Sequence, residues 1–256
     1  MIMMKAFAKH FIKYFHYFLC FFVLCLVVVS VGNLQVFVSK QYLHFWNVES
    51  SVLSRFLWDL LLLVGFIVQH SLMATQGFKE NLAWMNITIS QRLIYITCTC
   101  FVLLFVIFQW QSIPDTYLWF IDTQGRFFLW LFFFLLHVLA WFLLGLELLL
   151  VDFGDLSGIS QVYRYHNSLN QPLAKHIILM EIYTRMRHPG VVLFTAMLWV
   201  HPLMTLDRLL LACVMSSYMV GRHSFEKVHS EYAEKYFTVS TLHRKSSVRF
   251  DVTKEN

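Results

Sequence analysis

Charge is what this chain has least of. Of 256 residues only 14% are Asp, Glu, Lys or Arg, with 15 acidic and 20 basic side chains, against about 25% in an ordinary soluble domain. Proline (4) and glycine (9) are also sparse, which excludes collagen-like and linker-rich architectures. The five cysteines, Cys20, Cys25, Cys98, Cys100 and Cys213, all lie in apolar runs and are odd in number, so no disulfide framework is expected. Twelve histidines are present, yet no His-Glu-x-x-His or paired Cys/His spacing occurs, and no metal site is expected. What fills the space is apolar: 58% of the residues are hydrophobic and 18% aromatic, 26 of them phenylalanine. A soluble fold of this length could not bury that much apolar surface, so the chain reads as an integral membrane protein.

Six apolar segments stand out, at about 14–38, 56–74, 93–110, 127–151, 190–204 and 206–221. About 20 helical residues cross a bilayer. The expected architecture is therefore an all-α bundle of six transmembrane helices in one membrane domain, followed by a tail over 222–256. The last two segments are short and joined at His201-Pro202-Leu203-Met204-Thr205-Leu206-Asp207, which reads as a tight helical hairpin. The first segment is longer than a signal-peptide core of roughly 7–15 residues and reads as a retained signal anchor. No internal repeat is visible, which disfavours a transporter built from repeated halves.

Basic residues give the orientation. Alternate connections hold Lys40, Arg55, Arg126 and Arg208, leaving 16 of the 20 in the N-terminus, the loops near 75–92 and 152–189, and the tail. Both termini are expected on the cytoplasmic or nucleoplasmic side. The sequon Asn86-Ile87-Thr88 then faces the same side and is expected to stay unglycosylated.

Polar groups inside spans are costly and informative. The second segment carries Asp59, Gln69 and His70, the fourth His137 and Glu147. Asp59 and His70 share a helix face but lie roughly 16 Å apart along it, so each needs a partner from another helix. Asp59 also reads as a residue near a helix boundary, His137 as a core histidine, and Glu147 as meeting the interface or Arg164. The tail from Ser224 to Phe237 reads as an amphipathic helix, with Phe225, Val228, Tyr232 and Tyr236 on one face. Beyond it Arg244, Lys245, Arg249 and Lys254 form a basic end suited to anionic lipid. No nucleic-acid module accompanies that end, and no specific nucleic-acid recognition is expected.

Arg187-His188-Pro189 opening a short two-helix hairpin, followed by Glu226, resembles the integral-membrane methyltransferases that act on isoprenylcysteine carboxyl groups or on methanethiol. Further stretches, in order, are Trp58-Asp59, Gln69-His70-Ser71-Leu72-Met73-Ala74, Gln91-Arg92-Leu93-Ile94-Tyr95, Trp110-Gln111-Ser112-Ile113-Pro114, the run from Asp152 through Asp155 to Gln161, and Asp207-Arg208-Leu209-Leu210-Leu211-Ala212. Together they resemble the nurim family of multi-pass proteins of the inner nuclear membrane. The wider resemblance implies an S-adenosylmethionine pocket formed by Arg187, His188, Pro189 and Glu226, with Gln69, His70, Asp152, Asp155 and Gln161 as further polar pocket candidates. The chain departs from the enzyme pattern at Val191, Leu193, Lys227 and Phe153, where the enzymes place tyrosine, glycine, a second glutamate and histidine. The narrower resemblance implies a structural or interaction role at the nuclear envelope, with the bilayer and envelope proteins as partners. Catalytic residues are not assigned. The endoplasmic reticulum membrane is the alternative location, and methyl transfer to a thiol or membrane-borne acceptor the alternative activity.

Overall fold

The computed structural model describes residues 2–40, 50–85, 87–150, 154, 157–168 and 189–225. The elements are α1 (Ile2–Ser39), α2 (Val52–Ala74), α3 (Gln76–Trp84), a 3-10 turn (Thr88–Ser90), α4 (Gln91–Gln109), β1 (Tyr117–Phe120), α5 (Phe127–Leu150), α6 (Ile159–His166), α7 (Pro189–Trp199), β2 (Leu203–Thr205) and α8 (Leu206–Phe225). The chain divides into two compact units, Met1–Val214 and Met215–Asn256. All packing described below belongs to the first. The described part of the second is the end of α8. The tail helix expected beyond Phe225 and the sequon Asn86 lie outside the described residues.

Among the described residues four helices are long and apolar enough to cross a membrane: His10–Ser39, Val52–Ala74, Thr88–Gln109 and Phe127–Glu147. Their surfaces explain the composition. Phe128 is 84% exposed, and Phe132, Leu135 and Phe142 on the same helix also face outward, as expected of side chains that meet lipid. The boundaries are set by local chemistry. The Ser51 hydroxyl caps α2 by accepting the Ser54 amide at 3.2 Å, and Thr75 closes α2 while its side chain caps α3.

The fifth and sixth expected spans differ from the sequence reading. The fifth is the 11-residue helix α7, which reaches only about 16 Å of the roughly 30 Å of hydrocarbon. It stops at Trp199 because Pro202 disfavours helical backbone just before it. The residues expected to finish the span instead form β2. α8 has 20 residues but begins Leu206-Asp207-Arg208 and is not among the four spanning helices.

The ribbon is likewise absent from the all-α expectation. β1 and β2 pair antiparallel, Tyr117 opposite Thr205 and Phe120 opposite Leu203, with a bulge between Tyr117 and Trp119. The pairing is extended by the Ile121 amide donating to the Pro202 carbonyl (2.8 Å) and the Leu206 amide to the Thr116 carbonyl (2.9 Å). Aromatic Tyr117, Trp119 and Phe120 suit a short strand, and its partner lies over eighty residues on, which no local pattern could signal.

Candidate functional site

Most of the buried polar side chains among the described residues gather at the ribbon end of the bundle. After α4 the chain leaves helical geometry at Trp110-Gln111-Ser112-Ile113, so its backbone groups need new partners. One face of α2 supplies them. Arg55 donates to the Ser112 carbonyl (2.9 Å), Trp58 Nε1 to the Gln109 carbonyl (3.1 Å), and Asp59 accepts the Gln111 amide (2.9 Å). Spacings of three and four residues put these side chains together. Asp59 is thus no boundary residue: it is fully buried and holds the segment after α4 in place. Replacing it with Asn keeps the acceptor and is expected to shift stability by less than about 1 kcal/mol, whereas Asp59→Leu strands the Gln111 amide and costs about 2 kcal/mol. Thermal midpoints of the purified protein in detergent distinguish the two.

The start of α8 completes this end. Trp110 Nε1 donates to Asp207 at 3.2 Å, and the Trp110 ring stands edge-on to Phe37 of α1, centroids 5.5 Å apart. Arg208, 1% exposed, donates through Nη1 to the Val38 carbonyl (3.0 Å) and through Nη2 to the Lys40 carbonyl (2.6 Å). A charged fork therefore caps the C-terminal end of α1, where carbonyls are unsatisfied and the helix dipole favours a cation. Asp59 Oδ2, Asp207 Oδ1, Ser112 Oγ and Thr205 Oγ1 are buried here without a hydrogen-bond partner among the described residues.

Beside this cluster α1 and α5 stand apart around a pocket of about 600 Å³. Gln35 and Ser39 line it from α1, and Trp130, Phe133, Phe134, His137, Val138 and Trp141 from α5. The turn at 121–124 and His201–Leu203 close it. Trp141 Nε1 donates to Ser39 Oγ across the gap at 3.3 Å. His137 Nε2 lies 3.1 Å from the Val200 carbonyl and its ring is edge-on to His201 at 5.7 Å. The expected core histidine is therefore a helix-packing residue on a pocket wall, with Nδ1 buried and without a hydrogen-bond partner among the described residues. His201 lies in the turn between α7 and β2, outside the spanning helices. Burial above all, then the Arg208 cation, holds its imidazole down to about 3, so it is neutral at physiological pH. Its Nδ1 meets both main-chain groups of Leu203, at 2.9 Å from the oxygen and 3.2 Å from the nitrogen, so either tautomer finds a partner.

The site residues read from sequence fall elsewhere. Arg187, His188, Glu226, Asp152 and Asp155 lie outside the described residues. Pro189 opens α7, as expected of proline at a first helical position. The next residue, Gly190, packs so closely on Glu147 that a Cβ there would strike its carboxylate. Glu147 thus meets the start of α7 rather than only the interface, a favourable place for a negative charge. His70 finds its partners on α4: the Tyr95 hydroxyl at 2.8 Å from Nε2 and Thr99 at 3.4 Å from Nδ1. Phe66 stacks on its ring. This is the inter-helix bonding expected of an intramembrane histidine. A double-mutant cycle of His70→Phe with Tyr95→Phe is expected to give about 1 kcal/mol of coupling. Gln69 Nε2 reaches Met73 Sδ (2.9 Å). Gln161 Nε2 donates to the Thr88 carbonyl (3.3 Å). Gln69, His70 and Gln161 therefore engage three different partners.

Two other motifs do meet. Gly158, in the left-handed region at φ +85°, sits against the start of α4, where an added Cβ would come within 2.8 Å of Arg92 Cβ and 3.2 Å of the Leu93 nitrogen. Val162 and Leu93 then join Cys20 and Val23 of α1 in a small buried core. The His16 and His166 rings face each other there, Nδ1 to Nε2 at 3.0 Å. Among the described residues no group of three or more His, Cys, Asp or Glu side chains could hold a metal ion.

Trp110, His201, Asp207 and Arg208 entered the sequence reading only as parts of the resembling stretches or of the hairpin joint, and not as site residues. The available signal was the adjacent charge pair Asp207-Arg208 at the head of an apolar run, read as a loop boundary.

Four apolar spanning helices, closed at one end by buried polar contacts and a short ribbon, define a polytopic helical membrane protein. No family model matches the chain, and no solved structure matches it. Curated relatives do. Nurim of Bos taurus is 36% identical over 193 residues, 72% of this chain and 71% of the relative. Nurim of Homo sapiens is 35% identical with the same coverage. A nurim homolog of Drosophila melanogaster is 28% identical over 74% of this chain and 80% of the relative. The chain belongs to the nurim family.

Proposed function

We propose that the chain is a multi-pass protein of the inner nuclear membrane with a structural or interaction role and no catalysis of its own. The observation that carries this reading is how the buried polar side chains are used. Arg55, Trp58, Asp59, Trp110 and Arg208 are spent on hydrogen bonds that fasten one segment to another. His70 does the same between α2 and α4. Such bonds make a fixed scaffold, and membership of the nurim family favours the inner nuclear membrane as its compartment. The location is tested with a C-terminally tagged copy in selectively permeabilised cells. The reading expects a nuclear rim stained only once the nuclear membranes are opened. A reticular pattern stained after plasma-membrane permeabilisation alone contradicts it. Unchanged mobility after glycosidase treatment is expected for Asn86, and a shift would reverse the orientation.

A second reading, an S-adenosylmethionine-dependent membrane methyltransferase, draws on one observation. α7 begins at Pro189, and the Glu147 carboxylate lies against Gly190 in its first turn. This gives an acidic, tightly packed helix start beside Arg187 and His188 in the chain. An arginine there could pair with the cofactor carboxylate and Glu226 with its amine. Binding of S-adenosylmethionine separates the two readings.

A further inference from the structure

The pocket between α1 and α5 has no part in either reading. It lies at the opposite end of α5 from Gly190: His137 meets Val200 at the C-terminal end of α7 and Glu147 meets its start, about 15 Å apart along α5. Two of its walls belong to spanning helices, Gln35 and Ser39 to the last turns of one and Trp130, Phe134 and His137 to the first half of another, and the turn at 121–124 with His201–Leu203 closes its end. Val36 and Val138 at the gap between the two helices are exposed, so a ligand reaches it there from the bilayer. At about 600 Å³ it falls within the roughly 300–1,000 Å³ of small-molecule sites and holds one compact body with aromatic contacts.

The polar lining narrows the chemistry. Among the described residues none that lines the pocket is Lys or Arg, and the carboxylate there is Asp122, whose Oδ1 already accepts the Gln124 amide. A phosphate head group would find no cation and one like charge. The donors Trp141 Nε1 and His137 Nε2 are committed to Ser39 and Val200. From α1 the lining includes the Gln35 amide and the Ser39 hydroxyl, one helical turn apart, and from the facing turns Thr123, Gln124 and His201 add further neutral polar groups. An intramembrane amide left unmatched is costly, and a hydroxyl, which both donates and accepts, satisfies it. We propose that this pocket binds one compact neutral membrane lipid with a single hydroxyl head group, of sterol size, its ring body against Trp130 and Phe134 and its hydroxyl at Gln35 and Ser39.

The test uses the full chain reconstituted in phosphatidylcholine vesicles with a photoreactive sterol or, separately, a photoreactive phosphatidylserine. Saturable sterol labelling, competed by unlabelled sterol and mapping to residues 119–141 and the end of α1, is expected, with weak labelling by the phosphatidylserine probe. Val138→Trp, which fills the pocket, is expected to lower sterol labelling about tenfold, or about 1.4 kcal/mol. Phe142→Trp, on the outward face of the same helix, is expected to leave it unchanged. If Val138→Trp fails to fold, Gln35→Leu serves, again with about a tenfold loss. Equal labelling by both probes overturns the proposal. So does labelling without saturation, or equal effects of the pocket and outward variants.

Discussion

Arg208→Met is expected to lower the thermal midpoint of the detergent-solubilised protein by roughly 10 °C. The side chain is 1% exposed and holds the end of α1 through two charge-assisted bonds, to the Val38 and Lys40 carbonyls. Hydrogen bonds to a charged group are worth about 1.5–3 kcal/mol each. Methionine keeps the apolar stem but leaves the carbonyl of the fully buried Val38 without its donor. Relief of the buried charge offsets part of this, leaving about 3 kcal/mol, and in a chain of this size each kcal/mol moves the midpoint by about 2–4 °C. Lysine carries the charge as a single point and cannot span both carbonyls as a planar fork does, so Arg208→Lys is expected to fall between. Arg126, exposed in the turn before α5, supplies the control: Arg126→Met is expected to leave the midpoint in place. An unchanged midpoint for Arg208→Met would show that α1 is held by apolar packing alone.

Gly158→Ala is the second large effect. At φ +85° an L-residue costs about 1–2 kcal/mol. The added Cβ also meets Arg92 Cβ at 2.8 Å and the Leu93 backbone nitrogen at 3.2 Å. The backbone contact cannot turn aside, so α6 must move off α4 and open the core of Cys20, Val23, Leu93 and Val162. A total cost of about 2–4 kcal/mol is expected, with faster limited proteolysis around 157–168. Gly145→Ala on α5 has open space around the new methyl and is expected to be neutral or to stabilise by up to about 1 kcal/mol.

The contrast between these glycines shows what could be read from the chain alone. The four long spans were legible because lipid imposes one rule, continuous apolarity over a fixed length, and the apolar runs at 14–38, 56–74, 93–110 and 127–151 obey it. His70 was legible as an inter-helix hydrogen bonder because a polar group in hydrocarbon must find a partner, and Tyr95 is that partner. The ribbon was not legible. Tyr117–Phe120 and Leu203–Thr205 are too short for a period, and their apolar residues look the same as the ends of spans. Asp59, Asp207 and Arg208 were misplaced for a related reason. Chain position near a span end implies contact with water, but the segment after α4 and the ribbon fold over them and make a buried polar layer where a boundary was expected. The proposed cofactor residues Arg187, His188 and Glu226 fall outside the described residues. Their assignment rests on resemblance, with Pro189 at the start of α7 as the part the fold describes.

On the proposed reading, this nurim-family chain serves the membrane as a scaffold and not as a methyltransferase. Isothermal titration of the purified full chain with S-adenosylmethionine, beside Arg187→Ala and Glu226→Ala, tests it most directly. No saturable heat is expected in any of the three. Saturable binding by the unaltered chain that is lost in both variants would contradict it.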